Sequence, residues 1–413
     1  MNMNIFNIAL DILKEIFEFS DFITKIRFRQ ICKFTYKNLH IIDFYNIEEN
    51  YLKKLTNNIL KKHKFIKYLK TNYNENINDI SWMKNLKELY VSGSYGIDQL
   101  GIKELDLIKL NAWDNYKITD VSWMKNLKEL NAGYSEIDQK SIQGLDLIKL
   151  YANDNSKIKN VSFMKNLKEL YASGNCGIDQ IGIKGLNLIK LDVWNNSKIK
   201  DVSWMTNLKE LNVSENCGVD QMGIKGLNLI KLDVWNNSKI KDVSFMTSLK
   251  ELNVRDYSGI NQIGIKGLNL IKLDVRDNHK IKDVSFMINL KELNAGGNCG
   301  IDQLGIIGLN LIKLDVDDNK KIKNVSFMKN LKELDASSNC GIDQTGINGL
   351  NLIKLNVCNN SKIKNVSFMN NLKKLVASGI CGIDQNGIKG LNLINLNIWN
   401  NPKIKKNEKQ KLN

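Results

Sequence analysis

The chain has 413 residues, 43% hydrophobic and 25% charged, a balance that suits a folded body and excludes a disordered one. Its formal charge of +16 comes from 60 Lys and Arg against 44 Asp and Glu, yet only Arg27, Arg29, Arg255 and Arg276 are arginines. A dedicated reader of bases relies on arginine forks, so nucleic acid is not the expected partner, and the charge reads as solubility and AT-rich coding background.

Taken in order, the N-terminus lacks a signal peptide's pattern, because Asp11, Lys14, Glu15 and Glu18 interrupt its apolar residues. No run of about 18 apolar residues follows anywhere, so no membrane association is expected. A cytoplasmic or nuclear monomer is the resulting expectation. Residues 1–45 have helical spacing: Ile8, Ile12 or Leu13, and Ile16 or Phe17 recur at three- and four-residue steps, giving one apolar face. Ser20 or Asp21 can cap a second helix carrying Ile23, Ile26 and Ile31. Residues 46–65 read as a polar linker helix with a thin stripe of Tyr51, Leu52, Leu55 and Ile59.

From Ile66 to residue 405 one skeleton repeats, L-x-x-L-x-V-x-x-N-x-x-I, at steps of 20 or 21 residues. Its first position falls at Ile66, Leu86, Leu107, Leu127, Leu147, Leu167, Leu188 and so on to Leu393, which makes seventeen repeats. A fixed period of this length signals a solenoid, since one unit cannot bury its own faces. Two types alternate. The first reads like Leu188–Asn207, with a return segment I-K-D-V-S-W-M; the second reads like Leu208–Asn228, with a return segment G-V-D-Q-M-G-I. Leu, Leu and Val should point into the coil, and the ninth-position Asn should turn inward to satisfy backbone groups that the turn leaves unpaired. Tyr257 and Ile380 replace that Asn in two second-type repeats, so looser turns are expected there. Asp201, Asp242 and Asp283 are expected caps in the first type, and Asp179, Asp220 and Asp302 in the second. Residues 406–413 form a basic tail.

Several columns invite a chemical reading. Cys176, Cys217, Cys299, Cys340 and Cys381 share one position, but neighbours two strands apart lie about 10 Å away, too far for a disulfide. They read as buried filler, Cys32 as helix core and Cys358 as a surface thiol. Gly296–Gly300 lacks the GK[ST] ending of a phosphate loop. His40, His63 and His279 have no nucleophile or carboxylate at a telling spacing. No enzyme, metal or cofactor is therefore expected. A Lys157-to-Lys403 column lines one edge, and an aromatic row from Trp82 to Phe368 should pack between return segments. Alternating Glu and Lys at the third position should pair across adjacent strands. The seventh position is irregular, carrying Trp113, Trp194, Trp235, Arg276, Asp317 and Trp399 in first-type repeats and Arg255 in a second-type one. Trp and Arg are enriched at interface hot spots. Trp113, Trp194, Trp235, Arg255, Arg276, Asp277, Asp317 and Trp399 are thus the candidate partner-binding residues of the concave face.

The skeleton resembles that of the leucine-rich repeat family, L-x-x-L-x-L-x-x-N-x-L. This resemblance implies an α/β solenoid, a horseshoe with a parallel sheet on its concave face and short 3₁₀ or α turns on its convex face. Ile8-Ala9-Leu10-Asp11-Ile12-Leu13-Lys14-Glu15-Ile16-Phe17 and the later Ile31-Cys32-Lys33-Phe34 resemble the opening and closing of an F-box, with Ala9 where that family usually has proline. The resemblance implies a small helical module that docks on a Skp-type adaptor of a cullin–RING ubiquitin ligase through Ile8, Ile12, Leu13, Ile16, Phe17, Ile31 and Cys32. The repeats would then hold a protein substrate. In style, the near-identical duplications resemble repeat families of large amoeba-infecting DNA viruses, which implies an infected host cell. Two other readings fit the same residues: a free-standing interaction scaffold whose first helices are only a cap, and an electrostatic nucleic-acid binder using the lysine edge.

Overall fold

The computed structural model describes residues 5–31, 37, 39–45, 47–93 and 95–405. The chain divides into two compact units, Met1–Leu188 and Ile189–Asn413. Both are parallel-sheet solenoids.

The first unit opens with helix α1, Ile5–Phe19, and helix α2, Phe22–Gln30. Asp21 is the cap of α2, accepting the Thr24 amide at 2.9 Å. Phe17 is buried and meets Phe28 edge-on at 6.4 Å, while Phe22 meets Phe44 at 5.2 Å. Residues Glu49–Leu52 and Asn57–Leu60 each make a single helical turn. The strands are β1 (Asp43–Phe44), β2 (Tyr68–Lys70), β3 (Glu88–Tyr90), β4 (Lys109–Asn111), β5 (Glu129–Asn131), β6 (Lys149–Tyr151) and β7 (Glu169–Tyr171). Each pairs in parallel with the next. β1 precedes the first repeat and was not anticipated by the repeat count. Its register, Asp43 opposite Tyr68 and Phe44 opposite Leu69, lays it along the otherwise unpaired edge of β2.

The second unit carries β8 (Lys190–Asp192) to β18 (Asn395–Asn397), again one strand per repeat and parallel throughout. Almost every strand is three residues with a buried central Leu between two less buried neighbours, the alternation that a one-sided buried strand demands. The skeleton residues Leu208, Leu211 and Val213 are each no more than 2% exposed. Among the described residues no strand follows β18, where Leu396 is only half buried.

The return segments differ from expectation in one respect. Short 3₁₀ helices form in the second type, at Met222–Ile224 and Leu304–Ile306 for example, while first-type segments are plain turns. The expected caps hold in both. Asp242 accepts the Ser244 amide at 2.8 Å, and Asp220 accepts those of Met222 and Gly223 at 2.9 and 3.1 Å.

The inward turn groups need a larger correction. In first-type repeats the ninth-position Asn is buried, as at Asn237, whose amide donates to Val213 O at 2.7 Å and Val219 O at 3.3 Å and whose Oδ1 accepts the Lys239 amide at 3.0 Å. In the second-type repeats from Leu167 onward the ninth residue faces solvent and the tenth fills the slot instead, as at Asn216 and Cys217. Cys217 Sγ accepts the Val219 amide at 3.5 Å, and Cys176, Cys299, Cys340 and Cys381 do the same work. Ser258 stands in for the cysteine at the tenth position, and Ser135 does so at the ninth position of a repeat one residue shorter, each accepting from Ile260 and Ile137 respectively at 3.4 Å. Tyr257 and Ile380 are therefore 76% and 77% exposed and loosen nothing. The cysteines are weak acceptors as well as filler.

Candidate protein-interaction face

The seventh residue of each repeat leaves the strand just before a residue held in the left-handed region. That eighth position has a φ of +54° at Asn195, +55° at Asn236, +57° at Asp256, +56° at Asp277 and +54° at Asp318. Asn, Asp and Gly adopt this conformation at least cost, so variation there is set by the backbone. Asp277 shows a further structural use. Its carboxylate accepts the Asn298 amide at 2.8 Å and lies where a β-carbon at Gly297 would collide with it. Asp154 with Gly174 and Asn359 with Gly379 repeat the device.

The seventh position itself builds a connected cluster in the second unit. The Arg255 guanidinium lies 4.3 Å from the Trp235 ring centre, a cation–π stack worth about 0.5–2 kcal/mol. Trp235 Nε1 donates to the Asp256 carboxylate. Arg255 Nε is buried without a hydrogen-bond partner, a cost of about 1–3 kcal/mol. One strand on, Arg276 reaches across to Asp317, with its Nη2 3.0 Å from Oδ2, and its Nε lies 3.6 Å from Asp277. Asp317 also accepts the Ser337 hydroxyl at 3.0 Å. Burial pushes the Asp317 carboxyl up, but hydrogen bonds from Ser338 and Ser337 and the Arg276 charge outweigh burial and hold it below the usual range.

A fifth-position ladder underlies this cluster. Asp233 Oδ1 accepts the Trp235 amide at 3.0 Å, and its Oδ2 accepts Asn253 Nδ2 at 3.0 Å. Asp192 with Asn212 and Asp335 with Asn356 make the same link, so acid and amide alternate from strand to strand. Two acids meet where Asp315 lies opposite Asp335, and the alternation ends at Val376, opposite Asn356. Burial raises the Asp315 carboxyl, and Asp335 raises it further. Beside this acid pair is a cavity of about 440 Å³ lined by Asp315, Asp335, Glu333, Lys354 and Lys374 among others.

The other candidates are placed as follows. Trp194 is 36% exposed, two strands before Trp235. Trp399 is 74% exposed because no described repeat packs beside it. Trp113, in the first unit, meets Tyr134 edge-on at 5.8 Å. The first unit also holds aromatics that the seventh-position reading missed. Tyr151 and Tyr171 stack at 4.2 Å with Lys149 Nζ 5.1 and 5.5 Å from their ring centres, and Lys109 lies 5.6 Å from Tyr90. The visible signal was tyrosine at fifth positions that elsewhere carry Asp or Asn. Third-position pairs form as expected, Lys149 with Glu169 at 2.8 Å and Lys231 with Glu251 at 3.1 Å. Pairs this exposed contribute about 0–1 kcal/mol each.

At the N-terminus Ile12, Ile16 and Ile31 are 53%, 50% and 67% exposed, and Phe19 beside them is 87% exposed. Leu13 is half buried and Phe17 fully buried. The Ile8 side chain and all of Cys32 lie outside the described residues.

Two columns turn out to be mainly structural. Lys239 Nζ donates to Cys217 O at 2.8 Å, Lys280 to Ser258 O at 2.9 Å and Lys321 to Cys299 O at 2.8 Å, so from Lys239 onward the lysine edge stitches a first-type repeat to the one before it. The aromatic row packs only in part: Phe245, Phe286 and Phe327 remain 40%, 39% and 40% exposed. Burial pushes the cysteine thiols up, to about 11 at Cys217 and about 12 at Cys299 and Cys340, so they are neither nucleophiles nor thiolate ligands at neutral pH. Among the described residues no group of three or more His, Cys, Asp or Glu could hold a metal ion, and no helix is long and apolar enough to cross a membrane.

No protein-family model matches the chain, and no curated protein is similar to it in sequence. Solved structures are similar in fold. A chain of the mouse RP105/MD-1 complex matches over 83% of this chain and 72% of its own length, at 16% identity and a TM-score of 0.51. A chain of the TLR13–ssRNA13 complex matches over 84% of this chain and 61% of its own, at 19% identity and a TM-score of 0.54. The functional domain of InlJ from Listeria monocytogenes aligns over 79% of this chain and 65% of its own, at 18% identity and a TM-score of 0.32. This chain thus spans about three fifths of the TLR13 chain. Its structural neighbours are leucine-rich repeat proteins, and its fold is theirs.

Proposed function

We propose that the chain is a protein-interaction adaptor: its N-terminal helices dock a Skp-type subunit of a cullin–RING ubiquitin ligase, and its repeats hold the protein to be modified. The observation that carries the docking half is the apolar stripe on α1. Ile12, Ile16 and Phe19 follow at steps of four and three, all at least half exposed, with Ile31 exposed on the segment after α2. Solvent-facing isoleucines at helical spacing are costly without a partner and match the positions through which an F-box docks. Phe17 takes a different part, as the core residue that keeps α1 seated. The substrate half rests on the Trp235, Arg255, Arg276 and Asp317 cluster, which the core does not require. Such an adaptor does no chemistry; it raises the local concentration of substrate at the ligase.

The test is capture by a purified eukaryotic Skp-type protein. Wild type should be retained and Ile12→Asp/Ile16→Asp should lose retention by at least about tenfold, with its circular dichroism unchanged. Equally weak retention of both proteins overturns the docking half. A second reading, a free-standing scaffold, is favoured by β1: residues 42–44 cover the edge of β2, which is what a cap does. On that reading the double variant alters no ligase contact. The lysine stitches weigh against an electrostatic nucleic-acid binder, because the Nζ of Lys239, Lys280, Lys321, Lys362 and Lys403 is engaged with a carbonyl and that of Lys157 with Glu136.

A further inference from the structure

At β18 the described sheet has an open edge. Lys373 O accepts the Asn395 amide at 3.0 Å, and the Ala377 amide donates to Asn397 O at 2.8 Å. Asn395 and Asn397 thus turn their backbone groups to β17. The alternation of the ladder turns those of Leu396 outward, with the Ile394 carbonyl and the Ile398 amide beside them. On an inner strand the same groups are taken: Ile353 O accepts the Lys373 and Lys374 amides at 2.9 and 3.1 Å, and the Val357 amide donates to Val376 O at 2.8 Å. On β18 no strand among the described residues takes them.

The letters of this edge also depart from their repeat type. Lys holds the third position of all seven earlier first-type repeats, from Lys109 to Lys354, and Asn395 replaces it. Exposed edges ordinarily carry lysine, because charge blocks pairing with another strand. Here the charge is withdrawn where the edge is open. A hollow of about 990 Å³ at this end has nine lining residues, Leu396, Ile398, Trp399 and Ile404 among them, and none is charged. Ile394 is 69% exposed, whereas the same isoleucine is 46% exposed or less in the earlier first-type repeats. On a chain of formal charge +16, this neutral apolar end lets two copies meet without the repulsion that charged faces bring.

We propose that β18 pairs with β18 of a second copy of this chain, antiparallel about a two-fold axis at Leu396. The axis sets the two Leu396 residues opposite each other, exchanging both backbone bonds, and brings each Ile398 amide to the Ile394 carbonyl of the other copy. Asn395 then lies opposite Asn397 of the second copy, where each carboxamide offers both a donor and an acceptor. Trp399 and the half-buried Leu396 are covered in the same step. The contact is isologous, so it closes at two copies. The protein is then a dimer, not the monomer expected from its sequence. This surface is independent of the adaptor reading.

The test is sedimentation equilibrium of the full chain from about 1 to about 100 µM, beside amide hydrogen exchange. Wild type should follow a monomer–dimer equilibrium, and exchange at Leu396 and Ile398 should slow as concentration rises. Asn395→Lys/Trp399→Asp should weaken dimerisation by at least about tenfold. Lys354 and Asp317 already hold these two positions in other first-type repeats, so the melting temperature at the lowest concentration should stay that of wild type. A wild type that remains monomeric at about 100 µM overturns the proposal, and so does a dimer that survives the double variant undiminished. The exchange measurement needs no variant: rates at Leu396 and Ile398 that ignore concentration overturn the proposal even where a dimer forms. A dimer that appears only once residues 406–413 are deleted also overturns it, by assigning the edge to the tail.

Discussion

First- and second-type repeats share a skeleton and a strand, yet they close their turns with different chemistry. The first uses a carboxamide at the ninth position, satisfying two carbonyls and an amide of neighbouring backbone. The second uses a thiol or hydroxyl at the tenth, satisfying one amide. One slot filled from two adjacent registers teaches that the letter a repeat preserves need not be the letter that works. The ninth-position Asn of the second type is an exposed residue riding on its turn.

The comparison can be broken at several points. Asn237→Ala strands Val213 O, Val219 O and the Lys239 amide, and it should lower stability by about 3 kcal/mol. Chemical denaturation should show this as an earlier transition; a loss below about 1 kcal/mol would mean that the turn does not need its carboxamide. On the binding side, Trp235→Ala/Arg276→Ala should weaken capture of a protein partner by at least about 2 kcal/mol while stability changes by less than about 1 kcal/mol. Affinity purification followed by mass spectrometry, beside a melting curve, separates the two effects. Equal recovery of every partner by wild type and variant would remove the concave cluster as an interface.

Smaller effects sharpen the same contrast. Cys217→Ser should cost less than about 1 kcal/mol, and less than Cys217→Ala, because serine already occupies this slot at Ser135 and Ser258. Tyr257→Asn should change stability by no more than about 0.5 kcal/mol, since that side chain faces solvent. At the break in the acid–amide ladder, Asp315 has a folded pKa raised above its unfolded value. Between those two values the native state holds more protons than the unfolded one, so this carboxyl lowers stability as pH rises through the window. Asp315→Asn should therefore gain most at neutral pH, on the order of 0.5–1 kcal/mol, and little near pH 4. A gain that is the same at both pH values would rule out the charge as its cause.

The solenoid, its register and the third-position pairs were legible because a 20- or 21-residue period leaves each inward leucine only one address. Seventh-position Trp and Arg stood out for the opposite reason: nothing in the period requires them. Three features were hidden. β1 has only two residues and no repeat letters, so only its pairing with β2 reveals it. The tenth-position slot was hidden because Cys and Ser look like filler until an amide is seen pointing at their heteroatoms. The Arg29–His63 hydrogen bond joins residues 34 positions apart, and no local spacing announces such a meeting.

The two interfaces between repeats are not interchangeable. Going from a second-type to a first-type repeat, the links are the Asn237 carboxamide, the Lys239 stitch and a clamp in which Gln221 holds the Lys241 and Asp242 amides at 2.9 Å each. Going the other way, the Lys231–Glu251 pair and the Asp233–Asn253 link remain, and these also form from second to first type at Glu333–Lys354 and Asp335–Asn356, so the Asn carboxamide, the lysine stitch and the glutamine clamp are what distinguish the two interfaces. An array built this way can lengthen or shorten only in whole pairs. Gain of a single repeat would set like against like, leaving one lysine without its carbonyl and one glutamine without its backbone. The pair is thus the quantum of inheritance, and partner-binding residues can be reshuffled along the chain only in steps of two strands.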